Sequence, residues 1–186
     1  MGWLVIVIEE PQVENVILVD EQDNPTGTEE KLRAHQDGGR LHRAFSVFIF
    51  NDAGQLLLQR RAASKYHFGG LWTNTVCSHP QEGEALEDAV HRKLAQEFGF
   101  DTTVAESFTF TYRATDAASG LTEHEFDHVF VGDYAGEPRP NPTEVDGWKW
   151  ADLRELERDL RAHPDHYTPW FPIAFTKLME RRRRGT

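Results

Sequence analysis

The sequence predicts an α+β fold, a mixed sheet with a few interspersed helices, and three observations point there. Two β-leaning runs, 44–50 and 56–60, flank Asn51-Asp52-Ala53-Gly54, a hairpin signal. The stretch 84–98 repeats apolar residues at helical spacing and stops at Gly99, placed as a helix-terminating C′ residue. Strand-like runs at 108–114 and 123–134 are split by the polar segment 116–120. Hairpin strands with helices between them suggest a sandwich of sheet and helices.

In chain order, residues 1–11 read as an added segment: an apolar hexad at 3–8, then Glu9, Glu10 and Pro11. Val16-Ile17-Leu18-Val19 followed by Asp20, Asp23, Asn24 and Pro25 reads as a strand entering a turn. Residues 72–78 lean towards β. Asp152 with Glu155 three residues on resembles a capping box, and Leu153, Leu156 and Leu160 follow at helical spacing. Pro172 suits the first turn of a helix over 173–182. Trp148 and Trp150 alternate with Lys149 on a strand-like stretch and read as core. The expected organisation is an extension over 1–12, one domain over 13–180 and a basic tail over 181–186, a frayed, solvated end.

Composition narrows the function classes. The 186 residues are 39% hydrophobic and 27% charged, with a mean hydropathy of -0.60. That suffices for one core and is too polar for a membrane protein. No apolar run approaches the ~20 residues that span a bilayer. The start lacks the basic and small-residue pattern of a signal peptide. Acidic residues outnumber basic ones 31 to 20, giving a net charge of -11, the wrong balance for a broad nucleic-acid footprint. The lone Cys77 forms no internal disulfide, and read without its neighbours it is a small buried hydrophobe. A soluble, cytoplasmic monomer acting on a small molecule is expected.

Helical geometry supplies the first anomaly. At about 100° per residue, Leu86 and Val90 each fall within about 20° of Glu97, and Leu94 lies close by. A carboxylate on that apolar face is costly unless paired or bound to a cation. The plain alternative is a salt bridge to a buried arginine. Strand periodicity gives two more pairs. Cys77 and His79 share a face if extended, as do Glu123 and Glu125, while His124 and His128 point the other way. His35 and His42 flank a turn-rich loop able to fold both rings onto one ion. Imidazole with carboxylate suits Zn, Mn or Fe better than an all-oxygen magnesium cage. Each pair alone is weak, since spaced histidines and a Glu-x-Glu on a strand are usually solvated.

The combination is specific. Thr73-Asn74-Thr75-Val76-Cys77-Ser78-His79-Pro80 closely resembles the signature of type I isopentenyl-diphosphate isomerases, relatives of the Nudix hydrolases. The resemblance continues through Pro25-Thr26-Gly27-Thr28, Leu41-His42-Arg43-Ala44-Phe45-Ser46, Tyr112-Arg113-Ala114-Thr115-Asp116 and Thr168-Pro169-Trp170, covering roughly residues 15 to 176. It implies a Nudix-like α/β/α sandwich with a mixed central sheet. It also implies a Mn2+ or Zn2+ ion held by His35, His42, His79, Glu123 and Glu125, and a Mg2+ ion bound with the substrate diphosphate at Glu97. Lys31, Arg61 and Lys65, with Ser78 nearby, would contact the diphosphate. Cys77 and Glu125 would be the acid–base pair, with Tyr112 and Trp170 at the hydrocarbon end. The implied reaction moves the double bond of isopentenyl diphosphate to give dimethylallyl diphosphate, for isoprenoid synthesis, through a carbocation-like state. Such a cation needs a dry pocket and an aromatic face, which suits Trp170. Glu125 is expected to protonate the alkene, and Cys77, near cations that favour thiolate, to take the other proton.

Departures from the related patterns matter too. On the hydrolytic Nudix box, with Arg92 and Gly99 in register, Ser78 replaces the first glycine, and Lys93 and Gln96 replace two carboxylates. Only Glu84 and Glu97 remain, which argues against hydrolysis. Val76 stands where a second cysteine is common, and His67-Phe68-Gly69-Gly70-Leu71 differs from the usual Pro-Gly turn. None of these departures is expected to touch a ligand. His91, His163 and His166 need no metal role. A Nudix-type diphosphohydrolase and an inactive ligand-binding module are the competing classes. Loss of turnover on replacing Cys77 separates isomerase from hydrolase, and a chelator separates either from a passive binder.

Overall fold

The computed structural model describes residues 14–185, so the extension expected over the first dozen residues lies outside them. Among the described residues, nine strands form one mixed sheet around β3 (His42–Phe50). β3 runs parallel to β8 (Thr122–Asp133) along its whole length. It pairs antiparallel with β1 (Asn15–Val19), β4 (Leu56–Arg61) and β6 (Val76–Ser78). β2 (Pro25–Glu30) extends β1, β7 (Val104–Thr115) extends β8, and β5 (Trp72–Thr73) and β9 (Val145–Ala151) pair with β4. The helices are α1 (Lys31–Ala34), α2 (Leu86–Phe98), α3 (Leu153–Ala162) and α4 (Trp170–Arg184), with a 3-10 turn at Pro164–His166.

The period of two in β3 builds both layers. Phe45, Val47 and Ile49 face α2, where they pack with Val90, Leu94 and Phe98. Phe48 and Phe50 face the opposite way, against Phe171 and Phe175 of α4 and Leu156 of α3. Helices therefore cover both faces of the sheet, the α/β/α arrangement expected. β7 repeats the logic, with Phe108, Phe110 and Tyr112 buried and the threonines between them exposed.

Local signals hold at several ends. Asn51 Oδ1 accepts from the Ala53 and Gln55 amides and closes the β3–β4 turn. Asp152 accepts from the Arg154 and Glu155 amides and caps α3. Gly99 ends α2 at φ 67, where a Cβ would lie 3.0 Å from the Arg139 carbonyl oxygen. Trp148 and Trp150 on β9 pack against the α2-side core.

Three elements differ from expectation. β2 has no apolar alternation to announce it. Asn74 and Thr75 break the 72–78 run into two short strands. The basic run 181–184 does not fray but forms the last turn of α4, with Arg181 over the Phe108 ring and Arg182 over Phe50. Arginine is a good helix former, and here its cation can rest on an aromatic face. Among the described residues no helix is long and apolar enough to cross a membrane.

Candidate active site

Strand register assembles the site. His42 pairs with Glu125 across β3 and β8, and Tyr112 pairs with the same Glu125 across β7 and β8. Ser46 pairs with Cys77 across β3 and β6, and His79 follows β6 directly. His35 arrives at the end of α1, where its carbonyl accepts from the Thr122 amide at 2.8 Å. Gly39 permits this approach: at φ 75, its Cβ would sit 2.6 Å from the Thr122 carbonyl oxygen. One ligand atom from each of His35, His42, His79, Glu123 and Glu125 then lies within 4.8 Å of all the others.

The donor set fits a cation. His35 Nδ1–H donates to the Lys31 carbonyl at 2.6 Å and His42 Nδ1–H to that of Arg40 at 2.7 Å. In the neutral rings both Nε2 atoms are therefore bare acceptors. His35 Nε2 lies 2.9 Å from Glu123 Oε2, and His42 Nε2 lies 3.2 Å from His79 Nε2, itself 2.8 Å from Glu125 Oε1. Lone pairs aimed at one another repel unless a metal ion or protons lie between them. Three imidazole nitrogens and two carboxylates form a donor set that could hold a divalent ion.

Without an ion, a proton can take its place between His35 and Glu123: burial lowers the His35 ring, but its bond to Glu123 outweighs that and raises its pKa. Burial pushes the Glu123 carboxyl up, but hydrogen bonds to His35 and His67 outweigh it and hold the group well below the ordinary range. Burial and the Glu123 charge push Glu125 up, and its bonds to His42 and His79 bring it below. Burial lowers His79 to about 4, leaving a neutral ring able to ligate. The Tyr112 hydroxyl donates to Glu125 Oε2 at 2.5 Å. Burial and the neighbouring carboxylates raise its phenol well above the usual value, so it stays protonated.

Cys77 departs from expectation. Its thiol donates to Asn74 Oδ1 at 3.0 Å and accepts from the Trp170 indole N–H at 2.9 Å. Burial, then the Asp127 charge, pushes the thiol up to about 12. The free protein therefore holds Cys77 as a thiol, not the thiolate its cationic surroundings suggested, because burial outweighs the Arg61 charge. Trp170, only 2% exposed, is enclosed by Phe68 edge-on at 5.5 Å, Tyr112 at 5.9 Å and the Arg61 guanidinium at 5.5 Å.

The expected diphosphate contacts reach the same cavity. Lys31, Arg61, Lys65, Ser78 and Glu97 line it together with Cys77, Tyr112 and Trp170. Lys31 is paired with Glu14 at 2.7 Å, and Lys65 with Glu144. Glu97 is buried on α2 as its helical position required, but its partners are Gln59 at 3.0 Å and Lys93 at 3.9 Å, not an arginine. Burial raises its pKa despite the Lys93 and Lys65 charges. A roomier groove, about 600 Å³, runs along β9 and α3 past Lys149 and Asp159, but it holds none of these residues.

Two of the residues that sequence reasoning missed are now visible. Asn74 fixes the thiol through Oδ1 while its amide donates to the Val47 and Val76 carbonyls. His67 hydrogen-bonds Glu123, so the variant turn at 67–71 does touch a ligand, contrary to expectation. Its loop has no periodicity, and Glu123 is distant in sequence. His124 and His128 do point away, His128 binding Asp23 and Glu106. His91 bonds Asp101.

Comparison with known proteins completes the picture. A NUDIX domain profile matches residues 40–171. A Halorhodospira halophila protein named isopentenyl-diphosphate Delta-isomerase is 50% identical over 86% of this chain and 91% of its own. An Aromatoleum aromaticum protein named isopentenyl-diphosphate Delta-isomerase 2 is 50% identical over 91% and 88%. Among solved structures, a Deinococcus radiodurans protein superposes with a TM-score of 0.74 over 88% of this chain and 98% of its own. At 21% identity that likeness speaks for the fold alone. With half its residues shared with such relatives over most of its length, the chain belongs to the isopentenyl-diphosphate Delta-isomerase family of NUDIX-domain proteins.

Proposed function

We propose that this protein interconverts isopentenyl and dimethylallyl diphosphate by adding a proton at one carbon and removing one from another, supplying isoprenoid precursor synthesis. The observation that carries the reading is that Cys77 and Glu125, two groups able to exchange protons, line one cavity together with Tyr112 and Trp170. Cys77 is a thiol held by Asn74 and Trp170, and Glu125 is a carboxylate held by Tyr112 and two histidines. In the direction that starts from this state, Cys77 gives its proton to the alkene and Glu125 takes one from the neighbouring carbon. This reverses the roles expected from sequence. The reverse reaction exchanges them again.

The remaining residues protect and anchor the substrate. Trp170 offers its indole face to the developing positive charge, and its burial with Phe68 and Tyr112 excludes the water that would capture a carbocation. The diphosphate is a handle, not a leaving group. Lys31, Arg61 and Lys65, with Ser78 beside them, fix it and thereby position the hydrocarbon end. Glu97, whose buried carboxyl lies among these cations, suits a Mg2+ ion arriving with the diphosphate. His35, His42, His79, Glu123 and Glu125 suit Mn2+ or Zn2+. Such an ion supplies fixed positive charge that keeps Glu125 ionised and oriented. A monomer in the cytoplasm is part of the same proposal.

The test is incubation of the protein with isopentenyl diphosphate, Mg2+ and Mn2+ or Zn2+, with product chromatography and a phosphate-release assay. Dimethylallyl diphosphate without released phosphate, abolished in Cys77→Ala, is expected. Phosphate release that survives Cys77→Ala would establish a hydrolase instead.

A further inference from the structure

The loop between β4 and β5 brings one more side chain to the five-residue cluster. His67 is 6% exposed, and its Nε2 meets Oε1 of Glu123, the oxygen that does not face His35. The loop is built to deliver that ring. Lys65 N–H bonds the Ala62 carbonyl at 3.0 Å, Gly70 N–H bonds that of Arg61 at 3.0 Å, and Ala63 N–H bonds Asp146 at 2.8 Å. Phe68 adopts φ 50, a costly conformation for a bulky residue. It turns the chain so that Phe68 meets Trp170 while His67 meets Glu123. A Cβ on Gly69 would lie 2.9 Å from the Ala63 carbonyl oxygen, so no larger residue fits beneath.

We infer that His67 is a positioning residue for the metal site: its Nε2–H holds Oε1 of Glu123 so that Oε2 alone, beside His35, faces the ion. The inference rests on the metal role proposed above for Glu123. Each oxygen then has one task. Oε1 accepts from His67 and Oε2 ligates, which fixes the carboxylate's rotation about its last bond and makes it a one-oxygen ligand. Partners of this kind orient ligands, and their loss typically weakens metal binding about 10- to 100-fold. His67 itself is not a ligand, because its ring nitrogen reaches the far oxygen of Glu123, outside the five atoms that converge.

The experiment measures Mn2+ affinity of metal-stripped protein by the loss of the free-ion EPR signal on titration. Wild type is compared with His67→Phe, which keeps an aromatic ring between Tyr66 and Phe68 but cannot donate, and His67→Gln, whose amide can donate from the Nε2 position. The Phe variant is expected to bind about 10- to 100-fold more weakly and the Gln variant to recover most of that loss. Pulsed EPR of the Mn2+-loaded Gln variant is expected to show the same number of coordinated nitrogens as wild type. Equal affinity in the Phe and wild-type proteins overturns the inference, as does loss of one coordinated nitrogen in the Gln variant, which would make His67 a ligand. If wild type itself takes up no Mn2+ and no Zn2+, the metal site proposed above fails instead.

Discussion

Replacing Trp170 probes the step that most needs this architecture. The indole lies in the wall of the cavity and its N–H reaches Cys77 Sγ at 2.9 Å. A desolvated aromatic face contributes ~2 kcal/mol or more to holding a cation. The hydrogen bond that orients the thiol adds about 1 kcal/mol. Trp170→Leu removes both, about 3 kcal/mol, which at about 1.4 kcal/mol per decade lowers kcat on the order of 100-fold. Trp170→Phe keeps a face and loses the N–H, so its deficit is roughly five- to tenfold. KM should move little in either variant, because Lys31, Arg61 and Lys65 anchor the other end of the substrate. Both changes leave space in a core cluster that includes Tyr112 and Phe171, so turnover is measured well below each variant's unfolding temperature. Steady-state assays of the three proteins decide the matter. Equal kcat in the Phe and Leu variants, or a Leu variant within about threefold of wild type, would refute the cation-stabilising role.

Other expectations concern the ligands and the scaffold. Adding Mn2+ or Zn2+ to metal-stripped protein should stabilise it by about 2.7 kcal/mol at 100 times Kd, visible as a raised Tm, and an unchanged Tm argues against the site. Gly99→Ala forces a Cβ into the left-handed region against Arg139 and should cost about 1–2 kcal/mol in urea unfolding while leaving kcat intact. Glu84 is forked onto Arg92 at 2.6 and 2.7 Å, and that bond holds its carboxyl below the ordinary value of 4.5. Because the folded pKa is the lower one, the pair's stabilisation is complete above about pH 4.5 and fades as pH falls through the folded value. Glu84→Gln should therefore lose about 1 kcal/mol at neutral pH, with a gap that closes in acid. A gap independent of pH would mean the charge is not responsible.

Much of the site was legible wherever periodicity fixes direction. Glu97 stood out because 3.6 residues per turn put it among Leu86, Val90 and Leu94, and Glu123 with Glu125 because a strand alternates. Contacts between distant segments were not legible. His67 meets Glu123 through an aperiodic loop whose path depends on a strained Phe68 and on Gly69. The Cys77 thiol is a sum of burial and charges that only the folded chain brings together, and its cationic neighbours alone pointed to the wrong state. β2 was missed because Pro25-Thr26-Gly27-Thr28 has no apolar side to bury. It is a strand because β1 supplies its hydrogen-bond partners. The continuation of α4 past the expected end at 182 was missed for the opposite reason, a run of charge whose aromatic supports, Phe50 and Phe108, lie far back in the chain.

Proton NMR of isopentenyl diphosphate with the metal-loaded protein in heavy water tests the central claim most directly. If Cys77 and Glu125 exchange protons with the substrate from opposite protonation states, dimethylallyl diphosphate appears carrying deuterium, and neither Cys77→Ala nor Glu125→Gln gives it. Double-bond migration undiminished in Cys77→Ala, or phosphate release without migration, would contradict the account.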